Sequence, residues 1–109
     1  MKHEDLVGVW RERGREIVRA DGNVTPDVAR ASQIMYSPDG YMAVVAYAGR
    51  FEVTGDQVRH TIFTAVNPNR VGDTQVRHIT LSGDDLTLTS LPDKQGNHFR
   101  IHWRRATKM

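Results

Sequence analysis

Two segments within residues 51–81 alternate between apolar and polar side chains, and turn residues separate them. His60 occurs in the apolar phase of the first segment, and Arg77 occurs in the apolar phase of the second. Because every second side chain of a β-strand points to the same face, the pattern predicts two strands with both residues on the core-facing side. A buried ionisable side chain needs a partner, water or a ligand, since burying it unpaired is costly. The pair therefore indicates a polar site within an apolar core.

Similar patterns bounded by turn residues predict strands along most of the chain. The predicted strands cover residues 9–19, 31–36, 41–53, 57–66, 73–81, 85–91 and 97–105. Residues 41–53 are expected to form two strands divided near Ala48 and Gly49, although one bent strand would also match the pattern. Gly14 predicts a bulge or bend in the first strand, and residues 22–30 predict an irregular connection.

Short connections between short strands favour antiparallel neighbours in up-and-down order. Closure of such a sheet removes its exposed edges, and an eight-stranded barrel can hold one small ligand. We therefore predict an all-β fold, an antiparallel up-and-down barrel of about eight strands with little helix. The 109 residues are expected to form one domain, with the barrel at residues 6–105 and a loose tail at residues 106–109.

The composition, with 39% hydrophobic and 26% charged residues, is typical of a soluble globular chain. The formal net charge of +2 is not concentrated in a basic patch beside aromatic residues, which argues against nucleic-acid binding. The absence of cysteine excludes disulfides and thiolate metal sites. No apolar run resembles a signal peptide or a membrane span, so we expect a cytoplasmic protein that does not enter the membrane. Both a monomer and a homodimer are compatible with the sequence.

Short motifs at both ends of the chain are similar to those of lipocalins. Residues 6–10 (LVGVW) resemble the first strand of a lipocalin with its Gly-x-Trp motif. Residues 103–105 (WRR) supply the arginine that packs near that tryptophan in lipocalins. Between these motifs, a series of segments resembles the bacterial and fungal lipocalin-like domain family, at residues 36–42, 47–51, 58–60, 67–77 and 83–88. The resemblance implies a calycin-like β-barrel with an internal cavity, whereas much of that family has no assigned activity.

Two positions depart from the family pattern. The connection between the Met42 strand and the Tyr47 strand is shorter than in longer relatives. A lid or flanking helix is therefore expected to be missing, which would leave the cavity smaller or more open. Glu12 stands where the family tends to have an apolar residue, so either it adds a charge to the cavity or the strand is displaced there.

Six residues are candidate ligand contacts, two at the polar end of the predicted cavity and four in its wall: His60, Arg77, Tyr36, Met42, Tyr47 and Phe51. His60, with an ordinary pKa near ~6.5, suits a ligand contact or a general base, and the alternative is a core histidine satisfied by neighbouring side chains or water. Arg77 suits a carboxylate, phenolate or enolate. Its alternatives are an ion pair with Glu12 or Glu52, or a position at the mouth of the barrel.

No motif requires a metal or a cofactor. His98 and His102 are four residues apart, which on one strand places them about 13 Å from each other. His78 takes the outward phase, opposite to Arg77. No glycine-rich phosphate loop opens a helix, and no serine has the context of a nucleophile elbow. We therefore expect no cofactor and no nucleophilic hydrolysis.

Three functions remain open from the sequence. The first is binding of a small, largely apolar molecule, aromatic or acidic in character, inside the barrel. The second is isomerisation, cyclisation or dehydration of a small metabolite, in which His60 moves a proton and Arg77 stabilises negative charge. The third is a protein-interaction scaffold without a ligand, using the outward side chains of the last strand, which otherwise form a solvated face: His98, Arg100, His102 and Arg104.

Overall fold

A computed structural model describes residues 1–28 and 31–109 of the chain. The fold is a closed antiparallel β-barrel of eight strands with one additional strand and almost no helix, which confirms the predicted fold class. The elements in chain order are α1 (His3–Leu6), β1 (Gly8–Val18), β2 (Val24–Asp27), β3 (Gln33–Tyr36), β4 (Tyr41–Val44), β5 (Tyr47–Thr54), β6 (Gln57–Ala65), a 3-10 turn (Pro68–Arg70), β7 (Thr74–Ser82), β8 (Asp85–Ser90) and β9 (His98–Thr107). The barrel order is β1-β3-β4-β5-β6-β7-β8-β9, and pairing between β1 and β9 closes it.

The additional strand β2 corrects one prediction. Residues 22–30 were expected to form an irregular connection, but Val24–Asp27 pairs with residues 15–18 of β1. β3 pairs only with residues 8–11 of β1, so β2 supplies partners for backbone groups farther along the same edge. Three of its four residues are exposed, so no alternation of apolar and polar residues indicated a strand. Residues 29–30 of the predicted connection lie outside the described residues.

The division of residues 41–53 into two strands is confirmed, but it falls at Val45 and Ala46 rather than at Ala48 and Gly49. Gly49 lies inside β5 and is buried. The register between β5 and β6 shifts beside it, so this glycine marks an irregularity within the strand pair rather than a turn.

Two other predictions concern the ends of the sheet. A register shift between Glu12 and Gly14 confirms the bulge expected in β1. β9 continues through Thr107, which pairs with Val9, so the predicted loose tail at residues 106–109 is wrong for its first two residues. The extra residues gain backbone partners because β1 begins early enough to pair with them.

One end of the barrel is closed by Trp10, α1 and Arg105. Trp10 is fully buried, and its indole nitrogen donates a hydrogen bond of 2.9 Å to the carbonyl of Leu6 in α1. The Arg105 guanidinium lies 4.2 Å from the centre of a Trp10 ring and donates to the carbonyl of Val7 at 2.6 Å. The resemblance implied such a contact between an arginine and the first tryptophan. These contacts fill one end of the barrel and leave space at the other.

Candidate ligand-binding cavity

A cavity of about 420 Å³ lies within the barrel at the end opposite α1. This volume falls within the range of small-molecule sites in proteins. Most of its wall is apolar, and the apolar side chains include Ile34, Val44, Leu88, Ile101 and Trp103. Val45 and Phe99 also border the cavity and are 70% and 46% exposed, so its mouth lies between the β4–β5 turn and the start of β9.

His60 forms the centre of a hydrogen-bonded group at the inner part of this cavity. Its side chain is only 2% exposed. The Tyr36 hydroxyl lies 2.7 Å from Nε2 of His60, and the Tyr47 hydroxyl lies 2.7 Å from Nδ1. Strand alternation places all three side chains inside, on β3, β5 and β6. Both ring nitrogens of His60 are therefore occupied by tyrosine hydroxyls.

This group is uncharged at neutral pH. Burial, reinforced by the positive charge of Arg77, lowers the pKa of His60 from 6.5 to about 3. Burial also raises the pKa of Tyr36 well above its ordinary value, and it raises the pKa of Tyr47, where the positive charges of Arg77 and Arg70 oppose the effect. Each of the three side chains keeps its neutral form because the interior disfavours the charged one.

Arg77 lies next to this group and faces the same cavity. It donates hydrogen bonds to Oε1 of Gln75 and, at 3.1 Å, to the carbonyl of Val76. Gln75 Oε1 also lies 3.4 Å from the Tyr47 hydroxyl, which links Arg77 to the tyrosine–histidine group. Burial lowers the pKa of Arg77, the expected direction for a cation taken out of water.

A second guanidinium group borders the same end of the cavity. Arg70 follows β6 in the 3-10 turn, and its guanidinium lies 5.0 Å from the centre of the Tyr47 ring. Within residues 1–28 and 31–109, neither Arg70 nor Arg77 forms an ion pair with an acidic side chain. Two cations therefore lie at one end of the cavity without a carboxylate to balance them there.

Glu12 was one of the alternative ion-pair partners of Arg77, but it pairs elsewhere. Its carboxylate has no exposed surface and accepts from Arg15 at 2.6 Å and from the Ser32 hydroxyl at 2.6 Å. The bulge in β1 follows directly after it. Of the two alternatives for Glu12, the displaced strand is the one observed, since the strand is irregular beside it and Glu12 is not among the residues that line the cavity. Glu52, the other alternative partner of Arg77, is exposed.

The six candidate residues do not all meet at the cavity. The cavity is bordered by Tyr47, His60 and Arg77. Tyr36 lies behind His60 and is hydrogen-bonded to it. Met42 and Phe51 are buried in the core outside the cavity lining, since α1 folds against that end of the barrel. The ring of Phe51, for example, stacks on that of His3 with 4.4 Å between their centres.

The candidate set lacked five polar residues that line the cavity, and two of them, Gln75 and Arg70, contact Tyr47: Arg15, Ser32, Arg70, Gln75 and Ser90. Gln75 shares the inward phase of Arg77 in β7, so the same alternation could have found it. Arg70 lies in a turn, where no strand phase indicates the direction of a side chain. The turn that begins at Asn67 sets the position of Arg70. The side chain of Asn67 accepts a hydrogen bond of 3.1 Å from the backbone N–H of Asn69.

Three of the four outward side chains of β9 are engaged within the chain. Arg100 and His102 each lie 2.9 Å from Oε1 of Glu16 on β1. Arg104 lies 3.0 Å from Oδ1 of Asp85 on β8. These contacts connect neighbouring strands on the outer surface of the barrel.

The described residues contain neither a group of metal-ligating side chains nor a membrane-spanning helix. In the described part of the chain, no three His, Cys, Asp or Glu side chains are grouped as they would be around a metal ion. Among the same residues, no helix has the length and apolar character needed to cross a membrane.

Comparison with known proteins places the fold in context. Residues 39–106 match the sequence profile of a lipocalin-like domain. No protein of curated function matches the chain. A lipocalin-like protein from Bacteroides uniformis ATCC 8492 is 18% identical, with 93% of this chain and 98% of that chain covered and a TM-score of 0.49. An uncharacterized protein from Bacteroides eggerthii DSM 20697 is 14% identical, with 90% and 98% covered and a TM-score of 0.44.

Proposed function

The chain belongs to the lipocalin-like domain family, and we propose that it binds a small, largely apolar molecule that carries an acidic group. The barrel supports this proposal because it contains a cavity of about 420 Å³ with an apolar wall and one polar end. Aromatic side chains of Tyr47, Trp103 and Phe99 border the cavity, and flat aromatic rings pack well against such surfaces.

The observation that carries the proposal is the unbalanced positive charge of Arg70 and Arg77. Hydrogen bonds between a guanidinium group and a carboxylate are among the strongest that proteins form, and the planar donor groups match two oxygens at once. Taking a cation out of water is costly unless an opposite charge or several acceptors replace the water. An acidic group on the ligand would supply that compensation, while its apolar part would occupy the rest of the cavity.

The other two hypotheses have less support from the geometry. A general base needs a free lone pair within reach of the substrate and a pKa near the working pH. His60 offers neither, since tyrosines occupy both nitrogens and its pKa lies at about 3. For the interaction scaffold, three of the four outward side chains of β9 already pair within the chain.

Binding of an aromatic carboxylate is expected to depend on Arg77. A charge-assisted hydrogen bond contributes about 1.5–3 kcal/mol, so Arg77→Gln should weaken binding of 2-naphthoate by about 10- to 100-fold. Isothermal titration calorimetry of wild type and variant measures this change.

Arg59→Gln provides the matched control for that experiment. Arg59 lies on β6, exposed on the outer face, so this variant loses the same charge without altering the cavity. We expect its affinity for 2-naphthoate to stay within about twofold of wild type. Equal losses in both variants would mean that only the net charge matters, and an unchanged affinity in Arg77→Gln would contradict the proposal.

A further inference from the structure

We propose that Tyr36 and His60 fix the direction of the Tyr47 hydroxyl group, so that the polar end of the cavity offers hydrogen-bond donors and selects the ionised form of an acid over an uncharged amide of the same shape. This inference rests on the proposed function and specifies the chemical class of its ligand. Tyr36 and His60 are then positioning residues that act through Tyr47.

A neutral imidazole has two tautomers. One ring nitrogen carries a proton and donates, and the other accepts. If Nδ1 of His60 carries the proton, it donates to the Tyr47 oxygen, and Nε2 accepts from the Tyr36 hydroxyl. If Nε2 carries the proton, it donates to the Tyr36 oxygen, and Tyr47 donates to Nδ1. Both arrangements satisfy the two distances of 2.7 Å.

The burial of Tyr36 distinguishes these arrangements. Tyr36 is fully buried, and within residues 1–28 and 31–109 its hydroxyl has His60 as its only hydrogen-bond partner. With the proton on Nε2, the Tyr36 hydroxyl hydrogen would have no acceptor, and an unsatisfied buried donor is costly. With the proton on Nδ1, every donor is satisfied, because the Tyr47 hydroxyl reaches Oε1 of Gln75 at 3.4 Å. The geometry therefore favours the Nδ1–H tautomer, by about tenfold or more.

This tautomer makes Tyr47 a donor toward the cavity. Its oxygen accepts from His60, so its hydrogen must point away, toward Gln75 and the ligand space. The distance of 3.4 Å to Gln75 Oε1 is long for an O–H donor, so a ligand oxygen could take this hydrogen instead. Oε1 of Gln75 also accepts from Arg77, so both of its lone pairs have a donor within the chain.

Three other groups of the cavity wall are donors only. Arg70 and Arg77 can donate but never accept. The indole N–H of Trp103, which belongs to the cavity wall, is buried and has no acceptor in the described part of the chain. A carboxylate only accepts, so it matches this set, whereas the NH2 of an amide would face donors and remain unpaired. Discrimination through unpaired polar groups is characteristically strong.

The tautomer can be measured without any ligand. In ¹⁵N-labelled protein, long-range ¹⁵N–¹H correlation spectra of the imidazole rings distinguish the protonated nitrogen from the bare one, and His60→Gln identifies the His60 signals. We expect the Nδ1–H form in wild type and a mixture of tautomers in Tyr36→Phe, where Nε2 loses its donor. A wild-type spectrum of the Nε2–H form would overturn the inference.

Selectivity is measured with 2-naphthoate and 2-naphthamide. We expect wild type to bind the acid at least about 30-fold more tightly than the amide, and this ratio to fall by about three- to tenfold in Tyr36→Phe. Tyr41→Phe is the matched control, because Tyr41 is exposed beside Arg50 on the outer surface, and its ratio should equal that of wild type. If Tyr36→Phe does not fold, Tyr47→Phe removes the Tyr47 donor itself and should weaken binding of the acid more than binding of the amide.

The outcomes separate the two proposals. Binding of 2-naphthoate with an unchanged acid-to-amide ratio in Tyr36→Phe, or equal losses for both probes in Tyr47→Phe, would overturn the positioning role and leave the proposed function standing. If wild type binds neither probe, the proposed function fails and the selectivity inference fails with it. An Nδ1–H spectrum together with the loss of selectivity supports both.

Discussion

The free energy of unfolding is expected to fall by about 2 kcal/mol between pH 6.5 and pH 4.5, because the folded barrel keeps His60 neutral. Burial and the charge of Arg77 hold its pKa at about 3, against 6.5 for an ordinary histidine. Below pH 6.5 the unfolded chain takes up a proton at this residue, and the folded chain does not. The unfolded state therefore binds more protons than the folded state. As the pH is lowered, the free energy of unfolding decreases by about 1.4 kcal/mol per pH unit until the folded pKa is reached. Such a loss is a large share of the ~5–15 kcal/mol that stabilises a small domain.

The surroundings of His60 offer little relief for the protonated ring. Tyr36 packs against it from β3, Tyr47 from β5, and Gln75 and Arg77 from β7. None of these side chains is acidic, and Arg77 repels a second positive charge. If Nε2 were also protonated, its hydrogen would point at the hydroxyl hydrogen of Tyr36. The Tyr36 hydroxyl would then have to rotate toward a space that contains no acceptor.

Urea unfolding at pH 6.5, 5.5 and 4.5, followed by circular dichroism, measures this dependence. His60→Gln should lose most of the slope, since glutamine does not titrate. His78→Gln should retain it, because His78 lies exposed on the outer face of β7. Carboxylates such as Glu16, whose pKa is lowered by its hydrogen bond to His102, lose most of their contribution below this range of pH. A wild-type slope in His60→Gln would assign the acid sensitivity to other groups.

The fold could be predicted from the sequence to the extent that each strand has one buried and one exposed face. β6 shows why, since Val58, His60 and Ile62 are buried in alternation with more exposed neighbours. β2 has no buried face, and it exists because the long strand β1 needs partners along its edge. That requirement comes from pairing between distant segments, and no local pattern expresses it.

The candidate site could be predicted in part for the same reason. Alternation placed His60 and Arg77 on the inner face, but it could not show that Tyr36 and Tyr47 occupy both nitrogens of His60, since these contacts join three strands. It also could not show that the four-residue helix α1 folds against the end of the barrel where Phe51 lies. The direction of a helix relative to a sheet depends on packing that is absent from the periodicity of either.

Gly49→Ala is expected to destabilise the barrel by about 3 kcal/mol or more, or to prevent folding. A Cβ atom at this position would lie 1.8 Å from the carbonyl oxygen and 2.8 Å from the carbonyl carbon of Thr61, and 3.2 Å from Cα of Ile62. All three atoms belong to the backbone of β6, so no side chain can rotate to make room. Overpacking in a core usually costs about 1–3 kcal/mol, and here the β5–β6 hydrogen bonds would be lost as well.

Gly14→Ala is the matched control, since Gly14 also lies at a bulge but has no atom within 4 Å of the added carbon. Its stability should stay within about 0.5 kcal/mol of wild type, whereas Gly49→Ala should lower the melting temperature by about 12 °C or more. A melting temperature of Gly49→Ala close to that of wild type would contradict the expected clash.

The same substitution also tests the cavity, because Gly49 lies two residues from Tyr47 on β5. Separation of β5 from β6 at this point would lengthen the contact between Tyr47 on one strand and His60 on the other. Any folded fraction of Gly49→Ala should therefore bind 2-naphthoate at least about tenfold more weakly than Gly14→Ala, even at a temperature where both are folded. Unchanged binding in a folded but destabilised Gly49→Ala protein would mean that the polar end of the cavity does not depend on the close approach of these two strands.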